Sequence, residues 1–114
     1  MNIISDFYKP VFAKEKNGKV STVKRIDFYI DKIFLAEPNE YMPIKDVEMF
    51  QHFVGNQTFD LDKPIFVKQK NGECGRVQSI NFELKSFTIP ETSGQDESLF
   101  RWLKMKDVEV LPQK

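Results

Sequence analysis

The amino-acid sequence predicts a mostly β protein built from two small barrels in tandem, of about five strands each, related by internal duplication and packed together. Three observations predict it: the chain matches itself at a fixed offset, each matching segment carries an Asn-Gly turn between β-prone runs, and convincing helical periodicity is missing. With a shift of 54 residues, Asp6–Leu35 falls on Asp60–Ile89, and eleven of the thirty pairs are identical. A second block, Tyr41–Phe50, falls on Trp102–Leu111 at a shift of 61, so the second copy carries seven extra residues between its blocks. They lie in the polar stretch 90–98, which contains Pro and Gly and reads as a surface loop.

Each copy is expected to open with a β-hairpin. Asn17-Gly18 and Asn71-Gly72 suit the two positive-φ positions of a type I′ turn. The arms would be Pro10–Lys16 with Lys19–Ile30, and Pro64–Lys70 with Glu73–Leu84, since Pro is tolerated where a strand begins. A second turn near Asp31-Lys32, or Lys85-Ser86, leads into a strand at Ile33–Glu37 or Phe87–Pro90. The next strand holds Tyr41–Ile44 or Leu99–Met105, and a tight Lys-Asp-Val turn precedes a last short strand. Only Val47–Val54 shows a weak helical stripe.

Five short, bent strands with a helical turn before the last resemble the SH3-like small barrels, a class that includes Tudor and KOW-type modules. The resemblance rests on the spacing from Val23, Ile26 and Phe28 to the terminal Lys-Asp-Val-Glu, and it covers nearly the whole chain, once per copy. It implies a fold and carries over no functional residue, because such folds host unrelated activities. The expected organisation is a first barrel at 1–50, an apolar connecting segment at 51–58 and a second barrel at 59–114 with a longer loop at 90–98. Copies of about 50 residues sit at the lower limit for an independent core, so Phe50, Phe53, Val54 and Phe59 are expected to fill the space between them. Phe12 and Phe66, Val23 and Val77, Ile26 and Ile80, and Phe28 and Phe82 are the expected barrel interiors, with Cys74 a small buried residue opposite Val20.

Seventeen basic against seventeen acidic residues disfavour both a polyanion mimic and a bulk basic nucleic-acid binder. One cysteine forms no internal disulfide, and neither a leader nor a membrane-spanning apolar run is evident, so a cytoplasmic protein is expected, without membrane association. Catalytic machinery is equally hard to assemble. His52 is the only histidine, no Cys-x-x-Cys or serine elbow occurs, and the glycines do not compose a phosphate loop. No cofactor, metal or catalytic residue is therefore expected, and Asp46 with Glu48, like Asp107 with Glu109, reads as turn chemistry.

The aromatic surplus points to recognition. Tyr41 and Trp102 occupy equivalent places, and with Tyr29, Phe100 and Arg101 they form the expected contact set for another protein. The function expected is thus a non-catalytic interaction module, an adaptor, accessory or inhibitory protein. The alternative is nucleic-acid binding through the basic first hairpin, with Lys14, Lys16, Lys19, Lys24 and Arg25 continued by Lys68, Lys70 and Arg76.

Overall fold

Thirteen short strands and two single 3₁₀ turns make up the computed structural model, which describes residues 2–36, 39–53, 55–90 and 100–113. The strands are β1 (Ile3–Ile4), β2 (Phe12–Glu15), β3 (Val20–Asp27), β4 (Lys32–Leu35), β5 (Tyr41–Pro43), β6 (Val47–Phe50), β7 (Phe59–Asp60), β8 (Phe66–Gln69), β9 (Cys74–Arg76), β10 (Ser79–Asn81), β11 (Ser86–Pro90), β12 (Phe100–Lys104) and β13 (Val108–Val110). The 3₁₀ turns, Ile44–Asp46 and Met105–Asp107, stand where the Lys-Asp-Val turns were expected. No α-helix occurs among the described residues, and Val47–Phe50 is a strand in place of the weak helical stripe. The expected long loop at 90–98 falls, beyond Pro90, outside the described residues.

All pairings are antiparallel. An eight-stranded sheet runs β5-β4-β3-β10-β11-β12, with β2 and then β6 branching from the first half of β3. Residues 20–22 of β3 pair with β2, and residues 25–27 lie between β4 and β10. A bulge between Val23 and Arg25 allows the strand to change partners by bending it. A three-stranded sheet, β13-β8-β9, and the pair β1-β7 complete the topology. The barrels expected from the sequence are not closed: no ladder joins β5 to β6 or β12 to β13 among the described residues. The edge of β3 that β2 leaves free at residues 25–27 pairs with β10.

Hydrogen bonds recur at positions 54 apart. The Glu15 amide donates to the Lys19 carbonyl at 2.8 Å, as does Gln69 to Glu73 at 2.8 Å. Gly18 and Gly72 each donate to the carbonyl three residues back at 2.9 Å, both with φ of 91°. Asn17 and Asn71 have no positive φ, so the turn is a three-residue loop ending in a glycine bulge and not the expected type I′ turn. Each Asn side chain instead accepts the amide two residues on, Lys19 or Glu73, at 2.9 Å, which holds its own backbone right-handed. The second turns also match, with Asp31 (φ 54°) and Lys85 (φ 52°) left-handed and their carbonyls accepting the Ile44 and Met105 amides at 2.9 Å.

The core corrects the expected register of the first strand in each hairpin. Val11 and Ala13, like Ile65 and Val67, are buried, whereas Phe12 is half-exposed and Phe66 is 44% exposed. Alternation along a strand forces the choice, because burying both neighbours of a phenylalanine places its ring on the other face. Val23, Val77, Ile26, Ile80 and Phe82 are buried as expected, and Phe28 is partly so. Phe7 joins the two halves at the centre, its ring 5.0 Å from Phe59 and 5.5 Å from Phe87. Of the residues expected to fill the space between the halves, Phe59 is buried, Phe53 is exposed and Phe50 stacks on the outside with Phe12 and His52, while Val54 lies outside the described residues. Cys74 is exposed, contrary to expectation.

Candidate docking face

The central sheet has one inward and one outward face. The row Met42, Ile33, Ile26, Ile80, Phe87 and Leu103 runs across the six strands from β5 to β12 and points into the core. The two flanking rows therefore lie on the opposite face. One runs from Tyr41 through Phe34, Arg25, Asn81 and Ser86 to Lys104, and the other from Pro43 through Lys32, Asp27, Ser79 and Thr88 to Trp102.

That geometry separates the expected contact residues into two sets. Tyr41 and Trp102 sit on the opposite edge strands β5 and β12, five strand steps or about 24 Å apart across the sheet. At the β12 edge, Phe100 and Trp102 share a face as residues two apart, and Tyr29 from the β3–β4 turn meets Phe100 edge-on at 5.6 Å. Tyr29 is 56% exposed, Phe100 41% and Trp102 60%, so three large rings stand together in solvent. Their floor is polar but satisfied, with the Ser79 and Thr88 hydroxyls 2.5 Å apart. Arg101 alternates to the other face of β12, opposite Ile89, and does not join this cluster.

The β5 edge is covered by a cation. The Arg25 guanidinium lies 4.8 Å from the Phe34 ring centre and 5.8 Å from that of Tyr41, and Nη2 donates to the Tyr41 hydroxyl at 3.2 Å. Phe34 and Tyr41 meet edge-on at 4.7 Å. Tyr41 is thus already engaged by its own neighbours, and its ring face is less open than that of Trp102.

The basic residues are dispersed. Lys14 stands opposite Glu48 and Lys68 opposite Glu109 in the β2–β6 and β8–β13 ladders. The glutamates thus belong to strands, which corrects the reading of them as turn chemistry; the repeated Lys and Glu in matching strands was the signal for it. Lys24 Nζ lies 3.8 Å from Glu83, and Lys70 Nζ 3.7 Å from Asp107. Arg76 is beside Phe66, and Lys16 and Lys19 occupy the first hairpin tip. Because β3 and β10 are antiparallel, the two basic hairpins leave their shared ladder in opposite directions, so Lys68, Lys70 and Arg76 do not extend the track of Lys14 to Arg25.

Two side chains that the sequence reading passed over prove structural. Gln51 Oε1 accepts the Ser5 and Asp6 amides at 2.7 and 3.1 Å while its Nε2 donates to the Asp6 and Lys9 carbonyls at 2.6 and 3.1 Å. Gln113 repeats this, accepting the Asp60 amide at 2.7 Å and donating to the Asp60 and Pro64 carbonyls at 2.9 and 3.2 Å. Pro112 moves Gln113 to a shift of 62, one beyond the alignment block, which concealed the match.

Among the described residues, no group of three or more His, Cys, Asp or Glu side chains is arranged to hold a metal ion. No helix among them is long and apolar enough to cross a membrane. Compared with known protein families, curated proteins and solved structures, the chain significantly matches none.

Proposed function

We propose that this chain is a non-catalytic interaction module that docks another protein on the outer face of its central sheet, at Tyr29, Phe100 and Trp102. The observation that carries the reading is the cluster of three exposed rings around the β12 edge, two of them in direct contact. Aromatic side chains supply large, stiff contact area and dominate the energetics of interface centres. Tyr41 lies at the far edge and would serve only a partner broad enough to span the sheet, and Arg101, on the other face of β12, stays outside the docking surface.

The same proposal takes the architecture as two SH3-like rolls, 1–50 and 59–114, derived by duplication, bridged by 51–58 and working in the cytoplasm. Its support is the recurrence of strand order, turns and hydrogen bonds at positions 54 apart. Nucleic acid is less favoured as the target, because four of the eight basic residues stand opposite or beside carboxylates and Arg25 is stacked on rings.

Affinity purification from native extract, with and without nuclease, tests both readings. Trp102→Ala is expected to weaken capture by about 2 kcal/mol, the scale of an interface anchor, without altering thermal stability. Nuclease should leave capture intact. Capture that survives Trp102→Ala and Phe100→Ala together would remove this face from consideration.

A further inference from the structure

The central sheet ends on two strands, β5 and β12, that occupy equivalent places in the repeat and differ in what their backbones offer. The Met105 amide donates to the Lys85 carbonyl at 2.9 Å, one step beyond the Ser86–Lys104 pair. Arg101 and Leu103 therefore direct their N–H and C=O groups at β11, while Phe100, Trp102 and Lys104 direct theirs away from it. The Ile44 amide, donating to the Asp31 carbonyl at 2.9 Å, fixes the same phase in β5, where Tyr41 and Pro43 point outward. Pro43 has no amide to offer and Arg25 stacks on the rings beside it, so the β5 edge is blunted against further pairing. Its counterpart on β12 is Lys104, which has nearly the same backbone conformation (φ −72°, ψ 139° against φ −61°, ψ 139°) and keeps its amide. Among the described residues, β12 pairs only with β11.

We propose that β12 takes on a further strand, an extended acidic segment of the partner protein, through backbone hydrogen bonds to Phe100, Trp102 and Lys104. This rests on the reading of the Trp102 side as the docking surface and specifies how the partner docks there. The Phe100 and Trp102 rings, 41% and 60% exposed, stand on the face where apolar side chains of an added strand would lie. Charge selects the occupant, because β12 carries Arg101 and Lys104 and no carboxylate. An added strand lies in the plane of the sheet, so its side chains reach Lys104 on the ring face and Arg101, outside the ring cluster, on the other. A second copy of β12 would bring two more cations to the same edge, which disfavours self-pairing.

The test is amide hydrogen exchange on the isotope-labelled protein, alone and with the capped peptide Glu-Val-Glu-Phe-Glu-Val, with Lys-Val-Lys-Phe-Lys-Val as control. In the free protein the Trp102 and Lys104 amides should exchange fast and those of Arg101 and Leu103 slowly. The acidic peptide should slow Trp102 and Lys104, and the basic one should not. Lys104→Pro, at an angle that suits proline, should weaken binding about tenfold with unchanged thermal stability. Lys104→Gln, which keeps the amide, should weaken it much less. Slow Trp102 and Lys104 exchange in the free protein would show the edge already taken and overturns the proposal. So does slowing with protein concentration alone, which would assign the edge to a second copy. Equal binding of the two peptides, or equal effects of Lys104→Pro and Lys104→Gln, overturns it as well. Partner capture separates this inference from the reading beneath it: loss with Trp102→Ala but not with Lys104→Pro keeps the face and rejects the added strand, whereas capture insensitive to both rejects the face too.

Discussion

Ile26 and Ile80 face each other across the β3–β10 ladder, and both are fully buried. They are also 54 residues apart, the offset at which the sequence matches itself. Their neighbours exchange under the same offset: Arg25 opposite Asn81 becomes Ser79 opposite Asp27, and both pairs are present. Beyond them, Phe28 donates to the Gln78 carbonyl at 2.8 Å and Phe82 to that of Lys24 at 2.9 Å. The junction between the halves is thus two-fold symmetric in its hydrogen bonds, and it continues the sheet without a seam.

A joined sheet should melt as one unit. Ile26→Ala and Ile80→Ala are each expected to cost about 3 kcal/mol, and the double variant less than their sum, because the two truncations share one cavity. Urea unfolding followed by tryptophan fluorescence and by circular dichroism should give coincident single transitions. Separate transitions for the two probes would show that the halves unfold independently.

The glutamine clamps should matter more than their half-exposed positions suggest. Gln51→Leu removes the partner of the Ser5 and Asp6 amides and of the Lys9 carbonyl, while the Asp6 carbonyl keeps the Lys9 amide, at an expected cost of about 2 kcal/mol. Gln51→Glu should cost nearly as much, because a carboxylate accepts the amides but cannot donate to the Asp6 and Lys9 carbonyls. Chemical denaturation of both variants checks this; a wild-type midpoint for Gln51→Glu would show the donated bonds to be dispensable.

Gly18 and Gly72 offer a matched pair for backbone strain. Both have φ of 91°, and a Cβ added at either meets nothing within 4 Å. Gly18→Ala and Gly72→Ala should therefore destabilise equally, by about 1 kcal/mol, through conformation alone. Thermal denaturation of the two variants side by side reads the comparison.

Ser86 is 1% exposed, and its hydroxyl has no hydrogen-bond partner among the described residues. Replacing it with alanine removes a desolvated polar group at little loss of packing. Ser86→Ala should raise stability by about 1 kcal/mol, measured as a higher urea midpoint with an unchanged slope.

The strand order within each half was legible because turn residues and β-prone runs recur in fixed sequence, and two copies of a weak signal reinforce each other. What the repeat conceals is direction. Phe12 and Phe66 match, which marks them as shared but does not say which face they take; the phase is decided by Val11 with Ala13 and by Ile65 with Val67. The union of β3 with β10 leaves no local mark either, since its residues look like any half-buried strand. The exposed aromatics were readable as an excess of rings beyond the repeated core positions, yet their grouping was not. Tyr41 and Trp102 correspond in sequence and lie on opposite edges, while Tyr29 and Phe100, with no sequence relation, are in contact.

The β3–β10 ladder has a consequence for the chain as it is made. At about 5–20 residues per second, several seconds separate emergence of the Arg25–Asp27 edge from delivery of Ser79–Asn81. During that interval, neighbouring nascent chains on one message display the same self-complementary edge, and nothing in its hydrogen bonding distinguishes an intramolecular mate from a foreign one. Slow codons between the two halves are expected to lengthen that interval and to raise the yield of strand-swapped dimers.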